Sequence, residues 1–486
     1  MSHSPSGQEG PGVRHTARLR HPRFKLLALL MAAGGLISPV AHAGGAATDN
    51  ATLTELRKQI DDMRQQYEAR LKDLEGKLTQ LQQQQAATNA QAAATPASPP
   101  APTSESTASN ATGAPASDNS FNPSVAVILS GMYASLSKDP NTWKLSGFVP
   151  SGSDTSKRGF DLSESELSLS ANIDPWFYGA LTLSVSPDDT ISAEEAFVQT
   201  TALPEGLKIK AGRFFSGLGY LNEQHSHTWD FVDAPLAYQA FLGGQYKQEG
   251  LQAKWLLPTD QFIELTAELG SGRSFPGNDR NRNGAGSTVL AAHTGGDVGD
   301  NNSWRAGISW LRTEASNRTW EDAQQSAITN AFTGQSRIWA LDGVWKWAPN
   351  GNATLTNFKL QGEYFRRVES GDVVYDTTGV ASPGAYRSAQ SGWYLQGIYQ
   401  FTRGWRVGLR HDQLDSGSVD YGNNAINFIA TDYKPQRDSV MLDWSLSEFS
   451  RIRLQLNNDR SREGVSDRQL FLQYQMSLGA HGAHSY

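Results

Sequence analysis

From Leu470 onward every second residue is apolar or small: Leu470, Leu472, Tyr474, Met476, Leu478, Ala480 and Gly482, then His484 and Tyr486. The interleaved positions are mostly polar, among them Gln473, Gln475, Ser477, His481 and Ser485. A period of two describes a strand with one oily face and one wet face. Such a segment, ending on an aromatic residue, predicts the closing strand of a bacterial outer-membrane β-barrel. Lipid would meet its apolar face and an aqueous lumen its polar face. Tyr486 would sit in an interfacial aromatic girdle and serve as the C-terminal signal for the barrel-assembly machinery. The same alternation also suits the last strand of a soluble β-sandwich, so the rest of the chain has to decide.

Alternation of this kind recurs from Phe121 on and predicts an all-β fold, a transmembrane antiparallel β-barrel of about 16 strands. The strands are read at 124–135, 161–173, 177–186, 191–201, 206–215, 249–257, 262–270, 286–298, 303–314, 337–347, 357–367, 391–402, 405–414, 438–446, 450–458 and 468–486. One of them sets Leu167, Leu169, Ala171 and Ile173 against Glu164, Glu166, Ser168, Ser170 and Asn172; another puts Trp339, Leu341, Gly343, Trp345 and Trp347 on one face. Short turns at 174–176, 258–261, 299–302, 403–404 and 447–449 face one side, and long connections at 136–160, 216–248, 315–336, 368–390 and 415–437 the other. Outer-membrane barrels show that asymmetry. About sixteen strands enclose an aqueous channel, whereas barrels of about twenty-two surround a plug.

Ahead of the barrel, three segments differ in kind. Arg14, Arg18, Arg20, Arg23 and Lys25 precede the apolar run 26–37 and then Ala41-His42-Ala43, the grammar of a secretory signal spanning residues 1–43. In 44–84 the apolar residues Leu53, Leu56, Ile60, Met63, Tyr67, Leu71, Leu74, Leu78 and Leu81 alternate spacings of three and four, with one break at Tyr67–Leu71. That is a short α-helical coiled coil, expected as a periplasmic stalk that holds a homotrimer. Residues 85–120 are Ala, Pro, Ser, Thr, Gln and Asn almost throughout and read as a disordered linker. The barrel domain is 121–486. A net charge of −7 and the lack of a basic patch exclude a nucleic-acid partner, and zero cysteines suit an exported chain.

The chain carries two resemblances. Glu194-Glu195-Ala196-Phe197-Val198 followed by Lys210-Ala211-Gly212-Arg213-Phe214 is similar to a strand pair of phosphate-selective porins O and P. Lys210 to Pro235, with the run from Asn222 through His225, His227, Trp229, Asp230 and Asp233, resembles proteobacterial outer-membrane proteins labelled zinc-regulated TonB-dependent outer-membrane receptors. Residues 238–246 and 477–484 share that resemblance. It implies a Gram-negative outer-membrane location in contact with lipid, uptake of small solutes, zinc or another divalent ion as cargo rather than cofactor, and TonB as a partner. The chain shows no plug domain and no evident TonB box, so a passive porin-like channel is the first expectation. An energy-coupled receptor and a structural protein whose stalk engages a periplasmic partner are the alternatives.

The connection at 216–248 is expected to fold into the lumen. It holds Glu223, His225, His227, Asp230 and Asp233 within eleven residues, ligand types that suit zinc. The same residues would also serve as turn and capping groups in a metal-free loop. Inward charges divide by strand: Glu164, Glu166, Glu195, Glu264 and Glu268 early, Arg305, Arg367, Arg406, Arg410, Arg451 and Arg453 late. Opposed acidic and basic walls would set a transverse field across the lumen. No His comes with a recognisable nucleophile motif, so no enzymatic activity is expected.

Overall fold

A computed structural model describes residues 123–151, 157–186, 190–322, 328–428 and 430–479. The expected signal peptide, stalk, linker and Tyr486 lie outside the described residues.

Seventeen strand segments make one antiparallel sheet. They are β1 (Ser124–Leu136), β2 (Gly159–Leu162), β3 (Ser165–Asn172), β4 (Phe177–Val185), β5 (Ile191–Thr200), β6 (Leu207–Phe215), β7 (Lys247–Leu256), β8 (Phe262–Gly270) and β9 (Ser287–Val298), followed by β10 (Asn302–Glu321), β11 (Thr329–Trp347), β12 (Asn357–Tyr375), β13 (Ser382–Thr402), β14 (Trp405–Asp420), β15 (Gln436–Ser447), β16 (Ser450–Arg460) and β17 (Asp467–Gly479). The sheet closes on itself, because β1 pairs with β17 from Ala126↔Gly479 to Leu136↔Gln469 and, on its other edge, with both β2 and β3. β2 and β3 are therefore two pieces of one wall strand, and the closed barrel has sixteen strands. Among the described residues closure leaves no unpaired sheet edge, as a lipid-embedded backbone requires.

The wall is built inside out. Along β12 the residues Gln361, Glu363, Arg367 and Glu369 are buried, while Leu360, Tyr364 and Val368 between them are exposed. β16 repeats the pattern with Arg451, Arg453, Gln455 and Asn457 buried against exposed Leu454 and Leu456. A protein in water would put these side chains the other way round; a barrel in lipid with a polar interior arranges them like this. Exposed aromatics gather at the short-turn end, including Trp176, Trp255, Trp304, Trp345 and Trp444. Trp405 stacks on its cross-strand partner Trp444 at 5.3 Å.

Two features depart from the sequence reading. The connections at 315–336 and 368–390 are largely strand, since β10 runs to Glu321, β11 begins at Thr329, β12 runs to Tyr375 and β13 begins at Ser382. Beyond the apolar band the outward positions turn polar (Arg312, Arg337, Arg366), so the alternation of hydrophobicity fades although the ladder continues. The second is a helix, α1 (Leu236–Leu242), every residue of which is buried. Pro235 before it and Gly243 after it, the latter at φ 68, are the start and stop signals that could have found it.

Candidate functional site: a lumen loop held between charged walls

The segment between β6 and β7, residues 216–246, lies inside the barrel. Leu218, Leu221, Trp229, Leu236, Tyr238, Phe241 and Tyr246 form one buried cluster with Val289, Leu311, Ile338, Phe365, Tyr394 and Leu414 of the wall. Leu145 and Phe148, from the connection after β1, pack onto the same cluster.

An irregular loop in this position has peptide groups that no ladder satisfies, and each left unpaired costs about 1–3 kcal/mol. The wall charges supply the partners. Glu268 accepts hydrogen bonds from Ser216 Oγ at 2.7 Å and Gly217 N at 2.8 Å. Glu363 accepts from Tyr220 N and Leu221 N, both at 3.1 Å, and from the Tyr238 hydroxyl at 2.9 Å. Gly219 passes so close to Glu363 that a Cβ there would collide with the carboxylate. Wall arginines donate to loop carbonyls: Arg451 to His227 O at 2.7 Å, Arg453 to Trp229 O at 2.6 Å, Arg410 to Asp233 O at 2.9 Å and Arg367, on the same strand as Glu363, to Ala240 O at 3.1 Å. Acidic groups thus hold loop N–H donors and basic groups hold loop carbonyls.

The side chains of the loop sort by the same rule. His225 Nδ1 lies 3.1 Å from Glu194 Oε2 and 3.2 Å from Glu166 Oε2, and its Nε2 lies 3.1 Å from Glu195 Oε2. His227 Nδ1 lies 2.8 Å from Glu166 Oε1, and Ser226 Oγ donates to Glu164 Oε2 at 2.7 Å. The aspartates go to the other wall. Asp230 meets Lys359 Nζ at 2.6 Å and Arg406 Nη1 at 3.2 Å; Asp233 meets Arg410 Nη2 at 2.7 Å and Arg437 Nη1 at 3.0 Å. Glu223 pairs with Lys254. Of the five expected metal-ligating residues, only His225 and His227 come together, and Glu166 of the wall joins them. Glu264 and Arg305 face each other at 3.8 Å and stay partly exposed in the lumen.

Sequence reading missed Glu194, whose carboxylate is as buried as that of Glu166. Strict alternation turns it outward once Glu195 is turned in. The β4–β5 register shifts at Thr182/Leu183, where Glu195 pairs with Thr182 and Ala193 with Leu183, leaving Glu194 as the extra residue of a β-bulge. A bulge brings two successive side chains to one side, and nothing in residue types marks it.

Burial disfavours charge on His225, but its hydrogen bonds to Glu166, Glu194 and Glu195 outweigh that and raise its pKa well above the ordinary value. Burial works against ionised Asp233 too, but Arg437 and Arg410 override it and pull the carboxyl down to about 2. Glu223 is held at about 2 against the same burial penalty by Lys254. A depressed carboxylate pKa stabilises the fold above the unfolded value, roughly 4, and the contribution disappears as pH falls through the folded value. The aspartate side of the loop should therefore stay clamped from neutral pH down to about 4 and release toward pH 2. Hydrogen exchange of 229–234 against pH is the check, and release already at pH 5 would contradict it.

No known family model matches the chain. An uncharacterized protein of Aquifex aeolicus is 30% identical over 402 residues, covering 76% of this chain and 81% of that protein. In shape the chain is similar to a loop-deletion variant of OmpT, an outer membrane protein of Vibrio cholerae, with TM-score 0.47 and 10% identity over 74% of this chain and 99% of that one. It is also similar to the outer membrane channel DcaP of Acinetobacter baumannii, with TM-score 0.43 and 11% identity over 74% and 97% of the two chains. An anion-selective porin from Comamonas acidovorans gives TM-score 0.45 and 10% identity over 74% and 99%.

Proposed function

The chain belongs to the same family as the uncharacterized Aquifex aeolicus protein, and we propose that it is a porin-like channel of the Gram-negative outer membrane that passes small hydrophilic solutes around a charge-clamped loop. The observation that carries this reading is the inverted wall, with apolar rows outside, a polar lining inside and an aromatic band at the short-turn end. The loop inside the barrel is where selectivity would be set, since it places charged and polar groups in the path of a solute. Partly exposed Glu264, Arg305, Lys254 and Lys359 line the approach to it from the short-turn side.

In this reading the residues ahead of the barrel are exported by the signal peptide, and the 44–84 coiled coil stands in the periplasm and joins three copies. Cargo of zinc or another divalent ion is the finer proposal, supported by the meeting of His225 and His227 with Glu166. The apolar packing of Leu218, Tyr238 and Phe241 also suits a receptor that opens only when TonB supplies energy.

Liposome swelling separates the two. Vesicles carrying the purified protein should swell in isotonic small sugars, faster for a pentose than for a trisaccharide. No swelling in any sugar would reject the passive channel.

A further inference from the structure

We propose that Glu166, His225 and His227, with Glu194 beside them, form a binding site for a divalent transition-metal ion of the zinc class, which cross-links the lumen loop to the wall. This goes beyond the channel reading and does not need the ion to be cargo. The donor atoms come from places distant in sequence: the histidines from the loop, Glu166 from β3 and Glu194 from the bulge in β5. One donor atom from each of Glu166, His225 and His227 lies within 4.8 Å of the other two. The separations at hand are 2.8 Å from His227 Nδ1 to Glu166 Oε1, 3.2 Å from His225 Nδ1 to Glu166 Oε2 and 3.1 Å from His225 Nδ1 to Glu194 Oε2. Four ligands at about 2.0–2.1 Å around a tetrahedral zinc ion stand roughly 3.3 Å apart. These three separations are near that spacing, and the Glu166, His225 and His227 donors all lie within 4.8 Å of one another.

A second observation points the same way. His225 turns Nδ1 toward this centre and Nε2 toward Glu195 Oε2 at 3.1 Å. A histidine that ligates a metal through one ring nitrogen commonly donates its other N–H to a carboxylate, which fixes the tautomer and the ring orientation. Phe215 packs edge-on against the same imidazole at 5.3 Å and limits its rotation. The charge balance also suits a dication. Four carboxylates, Glu164, Glu166, Glu194 and Glu195, converge on this end of the loop. Lys210 acts on Glu195 and Lys247 on Glu164.

Calorimetric titration of the full-length protein in detergent with ZnCl₂, paired with the visible spectrum of the Co²⁺-loaded form, tests the site. One equivalent should bind, and Co²⁺ should give the intense bands of tetrahedral coordination. Glu166→Gln and the double variant His225→Ala/His227→Ala should abolish that spectrum. Glu195→Gln, outside the ligand set, should keep the bands but weaken binding by roughly 10–100-fold. Heat-modifiable migration on gels confirms that each variant still forms a barrel. Unsaturable binding to the wild type, or equal affinity in the ligand variants, would overturn the proposal and leave His225 as a counter-ion only. Sugar-driven swelling of the same preparations reads the channel separately, so either claim can fail alone.

Discussion

Replacing Asp230 and Asp233 together with Ala should free one side of the lumen loop and raise single-channel conductance, with the barrel still assembled. Each aspartate holds two cations: Lys359 and Arg406 for Asp230, Arg410 and Arg437 for Asp233. Gln455 and Asn457 add hydrogen bonds to Asp233 at 2.9 and 3.0 Å. Removing one partner of a buried pair costs about 3–5 kcal/mol, because the remaining charge is stranded. Arg406 keeps Asp443, and Arg410 and Arg437 keep Asp412, but the charge that Asp230 and Asp233 balanced is lost, and water entering as the loop moves off the wall compensates it. The ladder from β1 to β17 involves neither aspartate, so closure survives. Asp230→Asn/Asp233→Asn keeps part of the hydrogen bonding and should give an intermediate conductance. Unchanged conductance in the Ala variant would mean that the aspartates do not hold the loop.

The second large effect concerns the outside of the wall. Leu341 is half exposed and lies on β11 between outward Trp339 and Trp345. In a water-soluble barrel, Leu341→Arg would be close to neutral, as exposed substitutions are. At the middle of a lipid-facing strand the same change costs roughly 2–4 kcal/mol. Refolding into lipid vesicles, followed by urea titration, should show that loss. Arg337→Leu, above the apolar band, should change little. Equal stability of Leu341→Arg and wild type would remove lipid from around this strand.

Much of the wall was legible because lipid and lumen impose a period of two on every strand. All sixteen predicted strands have counterparts, and Glu166, Glu268, Arg367, Arg451 and Arg453, read as charges of an aqueous lumen, are buried. Entry of 216–248 into the lumen was legible from its length and position. The role of the wall charges was not. Read as an open transverse field, they prove to be largely the partners of a loop whose peptide groups need donors and acceptors. That need arises only once the loop is packed inside. Glu166 joins His225 and His227 across some sixty positions of sequence, a separation at which spacing carries no signal. Asp230 and Asp233 are near the histidines in sequence, but the bends at 229–233 carry them to the arginine wall.

The central claim is a membrane-spanning barrel that conducts around a clamped loop, and single-channel recording in planar bilayers tests it most directly. Wild-type protein should give discrete steps, and the Asp230→Ala/Asp233→Ala protein larger ones under the same salt and voltage. Silence from both proteins, with each shown to be folded and inserted, would contradict it.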